Sequence, residues 1–300
     1  MLIQQEFAGY CLLRSAKYHK ALLLIGGGRN GKSTYLRVIT CLLNPKNVSN
    51  TPLQLLTTSR FALGELYGKL ANIAGDLPAI ALKETGTFKA VVAGDDIRGE
   101  RKFMDEYTFR PYAKLMFSCN EVPATPDDSD AFFERWIMVN FPNQFLDDDP
   151  KTDKDLEEKL TTQKELDGIF LWALEGLKRL LNNKRFSGSR TIEDTRNEYT
   201  QASNPVKAFV EKYLEPSFDG SITKDEVFRL FTEYCRKNKI PLITKNKLSM
   251  ELTNYIPAKS DRTKIEGKTV RIWRGITIMG DKGGEVETIS YPLNALKNNN

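Results

Sequence analysis

Residues 26–34, GGGRNGKST, place glycines, a lysine and two hydroxyl side chains in a spacing that suits phosphate binding. Gly26, Gly31, Lys32 and Ser33 satisfy the pattern G-x-x-x-x-G-K-S. Glycines let successive backbone N–H groups point at one anion, and a helix that begins near Gly31 adds the positive end of its dipole. Lys32 would reach the outer phosphates of a nucleotide, and the Ser33 hydroxyl would hold Mg²⁺. The predicted nucleotide contacts of this P-loop are Gly26, Gly27, Gly28, Arg29, Asn30, Gly31, Lys32, Ser33 and Thr34.

The elements around this loop favour a buried sheet. The apolar run Ala21–Ile25 predicts a strand that ends at the loop, and residues 33–43 predict a helix after it. Further strands are predicted over residues 70–74, 113–118 and 136–141. Asp76 and Asn120 follow the first two of these strands closely. Strands separated by helical segments, with polar residues just past the strand ends, are typical of an α/β nucleotide-binding fold.

The composition describes an ordinary soluble chain with room for two or three domains. It has 300 residues, of which 40% are hydrophobic and 28% charged, and a net charge of +5 that permits an anionic partner without requiring one. No apolar run reaches the roughly 18 residues of a membrane span, and the start lacks the basic region of a signal peptide. Four dispersed cysteines and the single His19 argue against zinc and against a His-dependent triad. We therefore predict a cytoplasmic protein without a membrane partner.

Hydrophobic spacing and capping signals divide the rest of the chain into predicted helices, a hairpin and domains. Helical spacing is predicted over residues 3–14, 52–70 and 154–182. In the last third, Thr223 and Glu226 form a capping box, a second short helix follows, and alternating residues around Lys268 predict a hairpin. Two helices and a two-stranded wing are the order of a winged helix, although a generic small α+β domain has the same elements. The predicted domains are an N-terminal helix (1–20), a P-loop core (21–150), a helical region (151–202), a winged-helix-like domain (203–280) and a flexible tail (281–300).

Five segments of the chain form an ordered set: GGGRNGKST, FALGELYGKLANIAGDLP, FKAVVAGDDIRGERKF, AKLMFSCNEVPATPDDSDAFFERWIMVNFP and LDGIFLWALEGLKRL. This set resembles the superfamily 3 helicases, which are AAA+ ATPases. The resemblance is to the helicase part of phage and plasmid primase-helicases and their poxvirus relatives, and it spans nearly all of residues 3–280. It implies an α/β AAA+ P-loop core with helical flanks and a C-terminal winged-helix-like domain.

The resemblance implies a role for three polar residues. Asp76 matches the Walker B acid that orients Mg²⁺, and Asn120 matches the sensor that positions the attacking water or the γ-phosphate. Arg135 matches the arginine finger that reaches the nucleotide of a neighbouring subunit, which implies a ring, expected to be a hexamer. A turn or cap aspartate, a turn asparagine and a solvated arginine remain the simpler interpretations.

The chain departs from the family pattern after the Walker B acid. A second acid often follows that residue and polarises the water, whereas Leu77 follows Asp76 in this chain. Glu84 is a candidate for the general base, and Asp76 serving both purposes is the alternative. Many relatives carry two adjacent arginines at the finger, whereas Glu134 precedes Arg135 here.

DNA contacts are predicted between the second and third strands. In the family a hairpin there projects into the central channel and grips single-stranded DNA, and residues 97–102 and 107–109 can pair as such a hairpin. Cations and an aromatic side chain near its tip would track phosphates and stack a base, although a solvated charge run is the alternative. The predicted DNA contacts are Lys89, Arg98, Arg101, Lys102 and Phe103.

The C-terminal domain offers a second basic surface. It would suit duplex DNA, with the second helix in a groove and the wing on phosphates. A basic surface that only touches the helicase core is the alternative. Its basic residues are Lys245, Lys247, Lys264, Lys268, Arg271 and Arg274.

These features together predict an ATP-dependent DNA helicase of a replication system, with ATP and Mg²⁺ as cofactors and single-stranded or forked DNA as partner. A primase or polymerase domain is expected on the N-terminal side, because such a module follows one in the family, so this chain would be a fragment or a stand-alone helicase. The setting would be the bacterial or archaeal host of a phage or plasmid, or a virus. The alternatives are an AAA+ motor or initiator without unwinding, a P-loop phosphotransferase, and a non-enzymatic winged-helix regulator.

Overall fold

The computed structural model describes residues 2–100, 105–150, 152–238, 240, 242–265 and 268–279. Arg101, Lys102 and Phe103 of the predicted hairpin, and the predicted tail, 281–300, lie outside these ranges. The chain divides into two compact units, Met1–Tyr199 and Thr200–Asn300. No helix among the described residues is both long and apolar enough to cross a membrane.

The first unit is built on a parallel sheet of five strands in the order β2-β3-β6-β1-β7. All five residues of β1 are buried, as expected for a strand of a parallel sheet with both faces covered. The predicted α/β class is therefore confirmed. The strands of this sheet are β1 (Ala21–Ile25), β2 (Val48–Ser49), β3 (Ala71–Ala74), β6 (Lys114–Cys119) and β7 (Trp136–Asn140). A separate antiparallel hairpin pairs β4 (Ile97–Gly99) with β5 (Tyr107–Phe109), as predicted.

Helices surround the sheet. One prediction is wrong: residues 52–70 do not form a continuous helical segment but two short helices, α3 and α4. The hydroxyls of Thr57 and Thr58 donate back to Gln54 O at the end of the first helix, and Ser59 Oγ accepts from Ala62 N–H at the start of the second. The helices that begin in this unit are α1 (Leu2–Cys11), α2 (Lys32–Leu43), α3 (Leu53–Leu56), α4 (Arg60–Gly64), α5 (Gly86–Ala93), α6 (Asp130–Phe133), α7 (Leu156–Leu160), α8 (Gln163–Asn183) and α9 (Ile192–Ser203), whose last four residues belong to the second unit.

The first helix is held to the sheet unit by a buried ion pair. The Glu6 side chain is fully buried, and its carboxylate accepts from Arg179 Nε at 2.6 Å and from Ser187 N–H at 2.7 Å. Because a buried charge is costly without partners, these bonds fix the packing of α1 against α8. The helix therefore belongs to the same compact unit as the P-loop.

The second unit has the chain order helix, strand, helix, helix, strand, strand. Its two predicted helices and the predicted hairpin are present, and Thr223 Oγ1 accepts from Glu226 N–H at 3.1 Å as the capping box requires. A third strand, β8, was not predicted, because Pro216 and Gly220 in its sequence LEPSFDGSIT are typical of turns and weaken the alternation of Leu214, Phe218 and Ile222 with polar residues. The antiparallel sheet order is β8-β10-β9. The elements are α10 (Pro205–Tyr213), β8 (Leu214–Thr223), α11 (Lys224–Asn238), α12 (Lys245–Leu252), β9 (Lys259–Ile265) and β10 (Lys268–Ile278).

Candidate nucleotide site

The loop between β1 and α2 has the backbone of an anion-binding turn. Gly28 and Gly31 adopt φ angles of +99° and +82°, which glycine reaches at no steric cost. Arg29 has a φ of +49°, a left-handed value that is uncommon for a residue with a side chain. A Cβ atom at Gly26 would lie 2.6 Å from Phe141 O, so no side chain fits there. A Cβ atom at Gly27 or Gly28 would meet no heavy atom within 4 Å. The loop is thus tight on the sheet side and open on the outer side.

The lysine of the loop is folded inward. Lys32 Nζ donates to Gly26 O at 2.7 Å, to Asn30 Oδ1 at 2.9 Å and to Asn120 Oδ1 at 3.4 Å. The residue is only 4% exposed. Three oxygens therefore satisfy the three N–H donors of the ammonium group and hold its charge at the base of the loop.

Burial and two neighbouring acidic groups act on the pKa of Lys32 in opposite directions. Burial lowers the pKa of Lys32, while Cys119 and Asp76 act in the opposite direction. Burial also raises the pKa of the Cys119 thiol to about 12, so this thiol stays neutral at physiological pH. The Asp76 carboxylate therefore supplies the negative charge that faces Lys32.

Asp76 is held in an unusual backbone conformation. Its φ is +51°, a left-handed value that non-glycine residues seldom adopt. Its N–H donates to Ser118 Oγ at 3.3 Å, and the next residue, Leu77, donates its N–H to Ser118 O at 2.8 Å. These two hydrogen bonds to Ser118 join the chain after β3 to the neighbouring strand β6. They thereby determine the position of the Asp76 backbone and hence of its carboxylate.

Three sequence-predicted residues meet at one edge of the sheet. Lys32, Asp76 and Asn120 follow the carboxyl ends of β1, β3 and β6, and these three strands are adjacent and parallel. The carboxyl edge of such a sheet is the usual place for a ligand site. The structure thus brings together residues that are 88 positions apart in the chain.

The donor set fits Mg²⁺ and a nucleotide phosphate. Ser33 lies exposed in the first turn of α2, and Asp76 is exposed as well. Across the ranges that the structure describes, no three His, Cys, Asp or Glu side chains gather as a metal-binding group. Mg²⁺ needs no such cage, because it keeps several waters and takes its remaining ligands from one or two protein oxygens and the substrate phosphates.

Arg135 lies at the amino ends of the parallel strands, on the side of the sheet opposite to the loop. Ala21 N–H, at the start of β1, donates to Arg135 O at 2.8 Å, and the next residue, Trp136, pairs with Ala21. The P-loop begins after the other end of β1, on the order of 16 Å away at about 3.3 Å per residue. The Arg135 side chain donates through Nε to Lys89 O at 3.2 Å and through a second nitrogen to Ala131 O.

Lys89, whose carbonyl accepts from Arg135, belongs to an ion-pair network that the sequence patterns did not predict. Lys89 Nζ donates to Asp127 Oδ2 at 2.8 Å, and the two side chains are 27% and 13% exposed. Thr85 Oγ1 donates to the same carboxylate, and Ser129 N–H donates to Asp127 Oδ1 at 2.9 Å. Burial raises the pKa of Asp127, but the bonds from Lys89, Ser129 and Thr85 outweigh it and hold the pKa well below its usual range.

The remaining predicted residues are dispersed. Glu84 does not contact Lys32 in the described structure; its Oε1 accepts from Gly86 N–H at 2.5 Å at the start of α5. Arg98 is exposed on β4 of the hairpin. Lys89, predicted to touch DNA, directs its ammonium group at Asp127. No motif could have indicated Ser118 or Asp127, because a serine inside an apolar run and one acid in a polar loop carry no distinctive spacing.

Comparisons with known proteins place this chain near viral helicases. A family model, DUF5906, a family of unknown function, matches residues 24–135. "Putative helicase 121R" of Invertebrate iridescent virus 3 is 26% identical over 278 residues, which are 81% of this chain and 29% of that protein. "Putative helicase L207/L206" of Acanthamoeba polyphaga mimivirus is 26% identical over 157 residues, 50% of this chain and 16% of that protein. The chain therefore spans less than a third of the length of either relative.

Among solved structures, the apo form of the NrS-1 C-terminal region is similar to this chain. The two are 14% identical, with a TM-score of 0.48, over 91% of this chain and 70% of that one.

Proposed function

We propose that this chain is the motor of an ATP-dependent DNA helicase that acts in replication as a ring, expected to be a hexamer. The observation that carries the proposal is the meeting of Lys32, Asp76 and Asn120 at the carboxyl edge of one parallel sheet. Two viral relatives named as helicases support unwinding over other uses of a P-loop.

At the nucleotide site, each residue has a role that follows from its position. The open N–H groups of residues 27–31 would bind the phosphates, and the Lys32 ammonium group would exchange its contacts with loop oxygens for phosphate oxygens. Ser33 and Asp76 would hold Mg²⁺, which neutralises developing charge on the phosphates when bound. Asn120, already bonded to Lys32, would orient the attacking water or the γ-phosphate.

Arg135 requires a neighbour in this proposal. Because it lies at the amino edge of the sheet, it would reach the nucleotide of the next subunit rather than that of its own chain. Hydrolysis would then occur at subunit interfaces, and an isolated subunit would be nearly inactive.

The DNA contacts are proposed on the hairpin β4–β5. This hairpin follows α5 in the chain, and the Lys89 carbonyl of α5 accepts a hydrogen bond from Arg135. A movement of Arg135 at the interface between subunits would therefore displace α5 and the hairpin after it. Arg98 stands exposed on it, and Arg101, Lys102 and Phe103 follow in sequence. In this proposal the second unit would act as a winged helix and contact duplex DNA, which its helices and three-stranded sheet support.

The test compares ATP hydrolysis and strand displacement on a forked substrate for wild type, Lys32→Ala and Lys46→Ala. Lys46 is an exposed lysine outside the loop, so its variant is the matched control. Lys32→Ala should lose both activities, and Lys46→Ala should keep both. DNA-stimulated hydrolysis without strand displacement in the wild type would identify a motor or initiator that does not unwind. Phosphate transfer to a nucleoside instead of water would identify a phosphotransferase.

A further inference from the structure

Three cations stand side by side across the sheet of the second unit. Arg271 on β10 pairs directly with Arg262 on β9, so both side chains point to the same face. On the other side of β10, Ile272 pairs with Thr223, and the residue that follows Thr223 is Lys224. The row therefore runs from Arg262 on β9 to Arg271 on β10, about 4.8 Å between the strands, and on to Lys224, the first residue of α11 directly after β8.

This row is not neutralised by the carboxylates near it. Asp261 is the nearest acid in sequence, but its Oδ2 accepts from Arg274 Nε at 2.5 Å and its Oδ1 from Arg262 N–H at 2.7 Å. Asp225, next to Lys224, pairs with Lys245. None of the three cations forms an ion pair with a carboxylate in the part of the chain that the structure describes.

The arrangement is unfavourable without an anion. Like charges directly opposite each other destabilise an antiparallel pair, and a cation in the first turn of a helix opposes the helix dipole, as Lys224 does in α11. Burial lowers the pKa of Lys224, and Arg271 and Lys245 lower it further. A bound anion would offset the repulsion among these cations and the unfavourable interaction of Lys224 with the helix dipole.

The row borders a cavity that can receive such an anion. The cavity has a volume of about 380 Å³ and is lined by Lys224, Ser260, Asp261, Arg262 and Arg271. Ser260 lies on the same face as Arg262, two residues before it on β9, and adds a neutral hydroxyl donor. Lys224 Nζ lies 3.8 Å from the ring centroid of Trp273, which is 3% exposed, so the ammonium group has a fixed support.

From this row and cavity we infer that Lys224, Arg262 and Arg271, with the Ser260 hydroxyl, form a phosphate-binding site in the second unit. Guanidinium groups bind phosphate oxygens in pairs, and an ammonium group adds a point charge, so the donor set matches one tetrahedral phosphate. The phosphate could belong to a DNA backbone or be free in solution. The site does not depend on the proposed helicase activity, because it shares no residue with the nucleotide loop.

The test uses the full chain carrying Lys32→Ala, which removes phosphate binding at the loop. Arg262→Gln combined with Arg271→Gln is compared with Arg236→Gln combined with Lys237→Gln, which removes two exposed cations at the far end of α11. Binding of a short fluorescent DNA duplex is measured by anisotropy over a range of salt concentrations. Thermal unfolding is measured with and without inorganic phosphate.

The site predicts that the Arg262/Arg271 variant binds duplex about tenfold more weakly than the control variant, with a salt slope reduced by about one to two. Unchanged duplex affinity with loss of the phosphate-dependent rise in melting temperature would assign the site to free phosphate. If neither the duplex affinity nor the phosphate-dependent rise in melting temperature changes, the site does not exist. Without phosphate the variant should be at least as stable as the control variant, because like-charge repulsion is removed. A lower melting temperature would mean that the arginines serve folding and would count against the site.

Discussion

Lys32 Nζ and Asn120 Oδ1 lie 3.4 Å apart, so the cation of the loop after β1 is bonded to the amide that follows β6. The two strands are neighbours in the sheet, and this bond joins the lysine proposed to bind phosphate to the proposed sensor. A phosphate that draws Lys32 away from Asn120 would release the amide for its own contact. In the proposed function, nucleotide binding would therefore be coupled to the position of Asn120.

Replacing Asn120 should separate binding from hydrolysis. Asn120→Ala should lower kcat by about 10²- to 10³-fold, as expected for the loss of one oriented polar group, with little change in nucleotide affinity. Asn120→Asp should instead weaken nucleotide binding, because its carboxylate would pair with Lys32 and compete with phosphate. Steady-state hydrolysis and equilibrium binding of a fluorescent nucleotide measure the two effects. A normal kcat in Asn120→Ala would remove Asn120 from the reaction.

Replacing Arg135 should abolish hydrolysis but not nucleotide binding. Such fingers supply about 10³- to 10⁵-fold in rate, and Arg135 lies away from its own loop. Mixing Arg135→Ala with Lys32→Ala subunits should restore some activity, because one interface of a mixed ring has both groups. Arg110→Ala, which removes an exposed arginine paired with Asp96, is the control. Mixtures that co-assemble yet stay inactive would argue against action in trans.

Asp127 should stabilise the fold in a pH-dependent way. Asp127→Ala leaves Lys89 without its partner and should cost about 3 kcal/mol at neutral pH. The pKa of Asp127 is lower in the folded chain than the roughly 3.9 of an unfolded one, so its contribution is complete above that value and is lost as the pH falls toward the folded pKa.

The measurement is urea unfolding of wild type and Asp127→Ala from pH 7 down to the acid limit of the fold. The difference in unfolding free energy should narrow below about pH 4. Asp96→Ala, which breaks an exposed pair, should change stability little at any pH. A constant difference across the acid range would show that the Asp127 carboxylate does not act through its charge.

The hairpin should couple hydrolysis to DNA rather than take part in hydrolysis. Lys102→Ala combined with Phe103→Ala should keep basal hydrolysis and lose DNA stimulation and unwinding, because stacking is worth about 1–3 kcal/mol per base. Phe170→Ala combined with Lys178→Ala removes the same residue types from an exposed face of α8 and is the matched control. Paired hydrolysis and fork-unwinding assays give the answer. Unwinding at the wild-type rate would place the DNA grip elsewhere.

Local patterns were enough to predict the loop and the strands that form the candidate nucleotide site. The spacing of Gly26, Gly31, Lys32 and Ser33 defines a turn whose geometry depends on a few neighbouring backbone angles, so it can be recognised without the rest of the fold. The apolar runs that became β1, β3, β6 and β7 were equally local, since burial on both faces of a parallel strand leaves a continuous apolar stretch.

Contacts between distant segments required the tertiary structure. The order of strands in the sheet, β2-β3-β6-β1-β7, differs from their order in the chain. The sheet order is what allows Asn120 to bond Lys32 and Ser118 to bond Asp76. The partner of Lys89, the strand β8 and the pairing of Arg262 with Arg271 likewise depend on which strands and loops become neighbours. Residue types and spacing along the chain determine what chemistry is available. The register and order of strands, set by long-range packing, decide which of those groups meet.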